Sequence, residues 1–317
     1  MSGPAVQRDA VLSPAASRDE RRGWLLVFLS ALMWSFGGAI ARFIDNADSW
    51  TVIFWRSAWA AAFLVCFMLW RDGWRGTLAL FRHMGLPGIA VAVFFATSSV
   101  AFVVALAYTT VANILLMQAG VPLLAALIAW TFFGEKVSLA TWLAITAVIA
   151  GISVMVSDSF HASVSPVGNA LALLIAFALA LATVFTRRYA NVRMTPAACL
   201  AAVLAAVVAG FLTSGLAVTG RDMGFLFAFG VLNLGLGLAF FATGARLVPA
   251  AVAALLGTFE PILGPIWVWL LHDEVPSART IVGGAIVFVA LLVHIGMEFT
   301  QQARPRRPGI TGMPSPN

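Results

Sequence analysis

Two stretches of this chain match each other at a fixed offset of 139 residues, and both lie in very apolar surroundings. Pro122 to Glu135 (PLLAALIAWTFFGE) aligns without a gap on Pro261 to Glu274 (PILGPIWVWLLHDE). Across Ala112–Thr141 and Ala251–Thr280, eight of thirty positions are identical: Ala112/Ala251, Leu116/Leu255, Pro122/Pro261, Leu124/Leu263, Trp130/Trp269, Glu135/Glu274, Ser138/Ser277 and Thr141/Thr280. A duplicated unit of apolar helices restricts the fold to two copies packed about a pseudo-axis. In membranes that is the plan of a secondary transporter, with substrate bound between the copies.

Composition leads to the same class. Hydrophobic residues make up 61% and charged residues 10% of the chain, against about 45–50% and 25% in soluble domains. Hydropathy divides the chain into ten spans near 24–44, 49–70, 86–107, 111–132, 137–157, 166–186, 196–218, 223–244, 249–271 and 278–297, each near the ~20 residues that cross a hydrocarbon core. The expected fold is an all-α membrane protein of ten transmembrane helices. These form two inverted five-helix repeats, 24–157 and 166–297, around a central substrate cavity, with 1–23 and 298–317 as polar tails. The first apolar run is longer than the ~7–15 residues of a signal-peptide core, so it reads as a membrane helix despite the preceding RDERR.

The positive charges orient the chain. Alternating the spans puts 15 of the 19 Lys and Arg residues at one side, leaving Arg42, Arg221 and Arg279 at the other edge and Arg56 inside a span. The crowded side reads as cytoplasmic, with both termini inside. Five helices per copy, an odd number, then gives the copies opposite orientations, a physical route to alternating access.

Arg56, AYTTVAN (Ala107–Asn113), Pro122 with Gly134-Glu135, Ala250–Ala254, Glu260-Pro261 and Glu274 form a pattern that resembles the EamA branch of the drug/metabolite transporter superfamily. The resemblance covers about 24–297. Within that branch the chain is most similar to the YddG-type exporters of aromatic and other amino acids. It implies an inverted-repeat carrier, usually in a bacterial inner membrane, exporting metabolites.

Charges deep in a membrane cost roughly 2.5–3.5 kcal/mol each even on the gentler scales, so Arg56 and Glu260 are candidates for function. Glu260 reads either as a proton-coupling or substrate-amine site or as a structural acid bonded to backbone or to Arg56. Arg56 reads as a clamp or a carboxylate ligand; a gating or structural role is the expectation for both. Pro122, Pro261 and Pro265 free carbonyls near 118, 257 and 261, either to expose polar backbone to a substrate or to curve a helix. Candidates to line the cavity are Trp34, Ser35, Ser99, Tyr108, Asn113, Gln118, Asn233, Thr258 and Trp267. Packing and interhelical hydrogen bonding are the competing roles for each.

His83, His161, His272 and His294 form no ligand spacing, and no phosphate loop appears, so no catalytic residue, metal site or cofactor is expected. Cys66 and Cys199 read as buried thiols. The expected partners are a small-molecule substrate, most simply a neutral or aromatic amino acid, with a drug, nucleobase or other metabolite as the alternative, and the lipid bilayer. Nucleic acid is excluded despite the basic pI, because the basic residues sit in membrane-flanking turns. A homodimer is possible through helices 5 and 10, which are expected at the periphery.

Overall fold

A computed structural model describes residues 14–45, 48–135, 137–157, 165–189, 193–248 and 250–302; the ends of both predicted tails and Lys136 lie outside them. The regular structure of these residues is helical throughout. Span 1 is α1 (Pro14–Ser35) with α2 (Gly37–Arg42), spans 2 and 3 are α3 (Ser49–His83) and α4 (Gly85–Ala105), and span 4 is α5 (Val111–Gln118) with α6 (Val121–Phe133). Span 5 is α7 (Leu139–Val156), span 6 α8 (Pro166–Arg188) and span 7 α9 (Thr195–Leu212). Span 8 joins α10 (Gly220–Phe227), a π segment (Ala228–Leu236) and α11 (Gly237–Gly244). Span 9 is α12 (Ala250–Gly257) with α13 (Phe259–His272), and span 10 is α14 (Ala278–Gln302). Among the described residues, nine stretches are long and apolar enough to cross a membrane, and the pair α5 and α6, bent by 44°, makes a tenth.

Helix starts are set by short side chains that accept an otherwise orphaned backbone N–H. Asp48 accepts from Trp50, Thr110 from Asn113, and Thr219 from Asp222. Four of the repeated positions form one such device twice. Ser138 Oγ accepts from the Thr141 amide and Ser277 Oγ from the Thr280 amide, both at 3.1 Å, to start α7 and α14. The preceding helices also end alike, on left-handed residues, Gly134 at φ 64° and Asp273 at φ 52°.

The packing is symmetric under exchange of the halves. Span 2 packs on span 7 and span 5 on span 10, while spans 3 and 6 pack together as spans 8 and 1 do, and spans 4 and 6 as spans 9 and 1 do. Small residues permit the close approaches: Gly151 of α7 faces Gly283 of α14, backbone to backbone. Helices 5 and 10, expected to offer a free peripheral face, therefore use one face of each to join the two halves.

Several predicted ends moved: α1 begins at Pro14 rather than 24 and α14 runs to Gln302 rather than 297, so both expected tails are helical where they join the bundle. Helix α3 runs on to His83 past a kink at Gly73 (φ 67°), because Arg71, Arg75 and Arg82 lower hydropathy without stopping a helix that has left the hydrocarbon. Helix α9 stops at Leu212, where the Thr213 hydroxyl donates to Asp48 and the Gly215 amide bonds back to it.

Candidate functional site

Three spans are broken near the middle of the bundle. In spans 4 and 9 the cause is local: Pro122 and Pro261 have no N–H to give to the carbonyls of Gln118 and Gly257, and the helices stop at those two residues. They are separated by the repeat offset of 139. Span 1 breaks at Phe36 without a proline. There Ser35 Oγ donates back to the Leu32 carbonyl at 2.7 Å, a bond that bends helices. Asn233 Nδ2, from the π segment, donates to the carbonyls of Met33 (2.7 Å) and Trp34 (3.0 Å), whose usual amide partners lie beyond the break. Lipid offers no replacement bonds, so this side chain from span 8 keeps the break satisfied.

The breaks in spans 1, 4 and 9 face one another through α13, which packs on α1, α2 and α5. Trp267 Nε1 donates to Ser35 Oγ at 3.0 Å, and its ring stacks on Phe36 at 4.8 Å. Trp34 lies 5.4 Å from Phe241 and over Gly237, where any side chain would collide with the indole. Leu115 of α5 fills the space that a side chain at Gly264 would need. Span 1 thus makes two separate aromatic contacts at its break, Trp34 with Phe241 of span 8 beside Asn233, and Ser35 and Phe36 with Trp267 of span 9.

The other candidates separate from this break. Thr258 is buried and donates to the Leu255 carbonyl at 2.6 Å, and Pro261 is buried behind it. Gln118 Nε2 is buried without a partner at the end of α5, while Pro122 is exposed. Asn113 is fully buried, donating to Asn169 Oδ1 (2.6 Å) and Thr109 Oγ1 (3.0 Å), so it ties span 4 to span 6. Tyr108 is exposed in the turn before α5.

Arg56 is 6% exposed. Its Nη1 donates to Ser99 Oγ at 3.0 Å and its guanidinium lies 4.2 Å from the Phe229 ring centroid. A desolvated cation over an aromatic face gains about 2 kcal/mol, offsetting part of its burial. Of the alternatives for Glu260, a bond to Arg56 is not formed: Arg56 binds Ser99 and Phe229, and Glu260 makes no hydrogen bond or ion pair among the described residues. The two lie on spans that the fold does not bring into register.

At the end of the bundle away from the termini is a polar network that the candidate list missed. Arg42 Nε and Nη2 both lie 2.8 Å from Glu274 Oε2, while Nη1 donates to the Leu106 carbonyl at 2.8 Å. Glu274 Oε1 accepts from the Val111 amide at 2.7 Å. Below it, the His272 ring meets the Ala39 carbonyl at 3.0 Å and Phe43 at 4.4 Å. Asp45 pairs with Arg221, and its amide donates to Asp222. The signal was available, since Glu274 is one of the eight repeated positions and Arg42 one of the few basic residues on that side. The shallow groove described on the surface, between Phe54, Ala61, Val203 and Phe211, is almost wholly apolar and faces lipid.

The profile of the EamA-like transporter family matches this sequence twice, over residues 21–157 and 166–296. The chain belongs to the EamA-like transporter family. This EamA chain is 27% identical over 278 residues to the pseudopaline exporter CntI of Pseudomonas aeruginosa, in strain UCBPP-PA14 and equally in strain PAO1. The match covers 86% of this chain and 95% of the relative. A crystal structure 19% identical to it superposes with a TM-score of 0.64, covering 88% of this chain and 98% of the other, which supports the fold. The EamA protein is therefore a multi-pass membrane transporter of small molecules.

Proposed function

We propose that this EamA protein exports small metabolites with a free amino group, aromatic and other neutral amino acids first among them, by alternating access between its inverted repeats. The observation that carries this reading is that the breaks of spans 1, 4 and 9 meet around α13. Phe36 and Trp267 offer an apolar aromatic face for a neutral side chain, while Ser35 and the broken backbone offer polar contacts. Glu260 is two residues beyond the span 9 break and lacks a protein counter-ion among the described residues, so it is suited to hold a substrate ammonium or a coupling proton. Arg56 acts as the structural clamp of spans 2, 3 and 8.

The charge bias of the turns supports insertion in the inner membrane with both termini cytoplasmic. The outward faces of α7 and α14, with Leu143, Ile149, Ile281 and Val289 exposed, are where a second copy would dock. The CntI relationship favours one second reading, export of pseudopaline or a metabolite related to it.

The test is efflux of labelled phenylalanine, tryptophan, methionine and threonine from liposomes holding the purified protein, with and without a pH gradient. Saturable efflux of at least one supports the amino-acid reading. If a pH gradient drives it, Glu260→Gln is expected to abolish that dependence. Efflux of none of the four, with efflux of pseudopaline, would replace the first reading by the second.

A further inference from the structure

Each mouth of the bundle has an Arg–Glu pair; the two glutamates are related by the repeat offset of 139, and the two arginines lie at the ends of the equivalent spans 1 and 6 at a different offset. Glu135 and Glu274 are equivalent positions, each one residue past a left-handed helix end and three before a serine cap. Glu274, at the end of span 9, pairs with Arg42 at the end of span 1; Glu135, at the end of span 4, pairs with Arg187 at the end of span 6. Each pair therefore joins the first span of one half to the fourth span of the other.

The two pairs are in different states. Arg42 and Glu274 meet at 2.8 Å with side chains 30% and 17% exposed. Arg42 also donates to the Leu106 and Thr109 carbonyls, and Glu274 accepts the Val111 amide, so the pair pins the turn between spans 3 and 4. Arg187 and Glu135 stand 3.9 Å apart, with side chains 64% and 49% exposed, a spacing and exposure at which an ion pair contributes little. One pair is held in a network that pins a turn, whereas its counterpart is long and exposed, with the neighbouring Arg188 guanidinium 4.5 Å from the Phe133 ring.

We propose that these pairs are alternating locks of the two mouths, a step that rests on the transport reading. When the mouth beside the termini closes, Glu135 accepts the Ala250 amide, and Arg187 donates to the carbonyls of Ala245 and Val248. Those three positions are Val111, Leu106 and Thr109 advanced by the repeat offset. A carrier needs its two states close in free energy, or one conformation traps it. Exchanging one lock for a chemically equivalent one satisfies that need, since each bond broken at one mouth is remade at the other.

The test uses nitroxide pairs on full-length protein in liposomes, in a Cys66→Ser, Cys199→Ala background, with distances read by pulsed electron resonance. One pair, Ala107→Cys with Val275→Cys, spans the far mouth; the other, Phe132→Cys with Arg246→Cys, spans the mouth beside the termini. Glu274→Gln is expected to lengthen the first distance and shorten the second, shifting the ratio of states by about tenfold, the weight of a charge-assisted hydrogen bond. Glu135→Gln and Arg187→Gln are each expected to do the opposite, holding the far mouth closed. All three variants must elute as a single folded species. Distances unchanged from the parent in all three, or shifted in the same sense at both ends, would overturn the proposal. The readout needs no substrate, so saturable efflux with unshifted distances refutes the locks alone, whereas absent amino-acid efflux with shifting distances refutes the amino-acid reading alone.

Discussion

Asn233→Ala removes the side chain that satisfies the span 1 break, and Gly37→Ala tests whether its position is as tight as the distances imply. The alanine at 233 deletes two hydrogen bonds, to Met33 and Trp34. Interhelical hydrogen bonds in membranes average ~0.6 kcal/mol and reach ~1.7, so the loss is about 1–3 kcal/mol. A methyl group at position 37 would sit 3.0 Å from Asn233 Nδ2 and 3.2 Å from Oδ1. The amide must therefore retreat a few tenths of an ångström and lengthen both bonds, a cost of about 1–2 kcal/mol of the overpacking kind. In the Asn233→Ala background that methyl group enters vacated space, and replacing glycine within a helix gains up to ~1 kcal/mol. The two substitutions should couple by at least ~1 kcal/mol, the double variant being more stable than the sum of the singles implies. Unfolding free energies from SDS titration in mixed micelles give the cycle. Additivity within ~0.5 kcal/mol, the behaviour of independent sites, would refute the assignment of Asn233 as the support of the break.

Arg56→Lys keeps the charge but loses the planar face on Phe229, and is expected to lower stability by about 1–2 kcal/mol with KM for the transported substrate unchanged; a tenfold rise in KM would make Arg56 a substrate ligand instead. Burial acts to raise the Asp48 carboxyl, but hydrogen bonds from Thr51, Thr213 and the backbone of Trp50 and Ser214 outweigh it and hold the group below its ordinary value. Its contribution is thus complete above pH 3.8, the ordinary value, and lost as pH falls through the lower folded value. The melting difference between parent and Asp48→Asn should be flat from pH 7 to about 5 and shrink below about 4; a difference that grows on acidification contradicts this. Gly151→Leu places its Cβ 2.7 Å from the Gly283 carbonyl, a backbone atom that cannot rotate away, and should cost at least ~1–3 kcal/mol or prevent recovery of folded protein; a parental melting curve would show that the α7–α14 seam is loose.

The spans, their duplication and the breaks in spans 4 and 9 were legible because each depends on local chemistry. Apolar length sets a crossing, and Pro122 and Pro261 each remove one N–H within their own turn. The serine caps at 138 and 277 were visible as identities before their role was known. The break at Phe36 had no proline to mark it. Ser35 and Gly37-Gly38 weaken the helix locally, but the break also needs its freed carbonyls satisfied, and Asn233, which does so, is 200 residues away from Met33. Glu260 and Arg56 could be picked out as costly charges, but their partners could not, because burial energy depends on composition and pairing depends on which helices meet. The locks show the same division. Sequence alone determined that Glu135 and Glu274 are equivalent, since a fixed offset survives duplication. Only the tertiary structure decided that one is engaged and the other slack, because an ion pair between residues 42 and 274 exists only once the two halves have closed on that side.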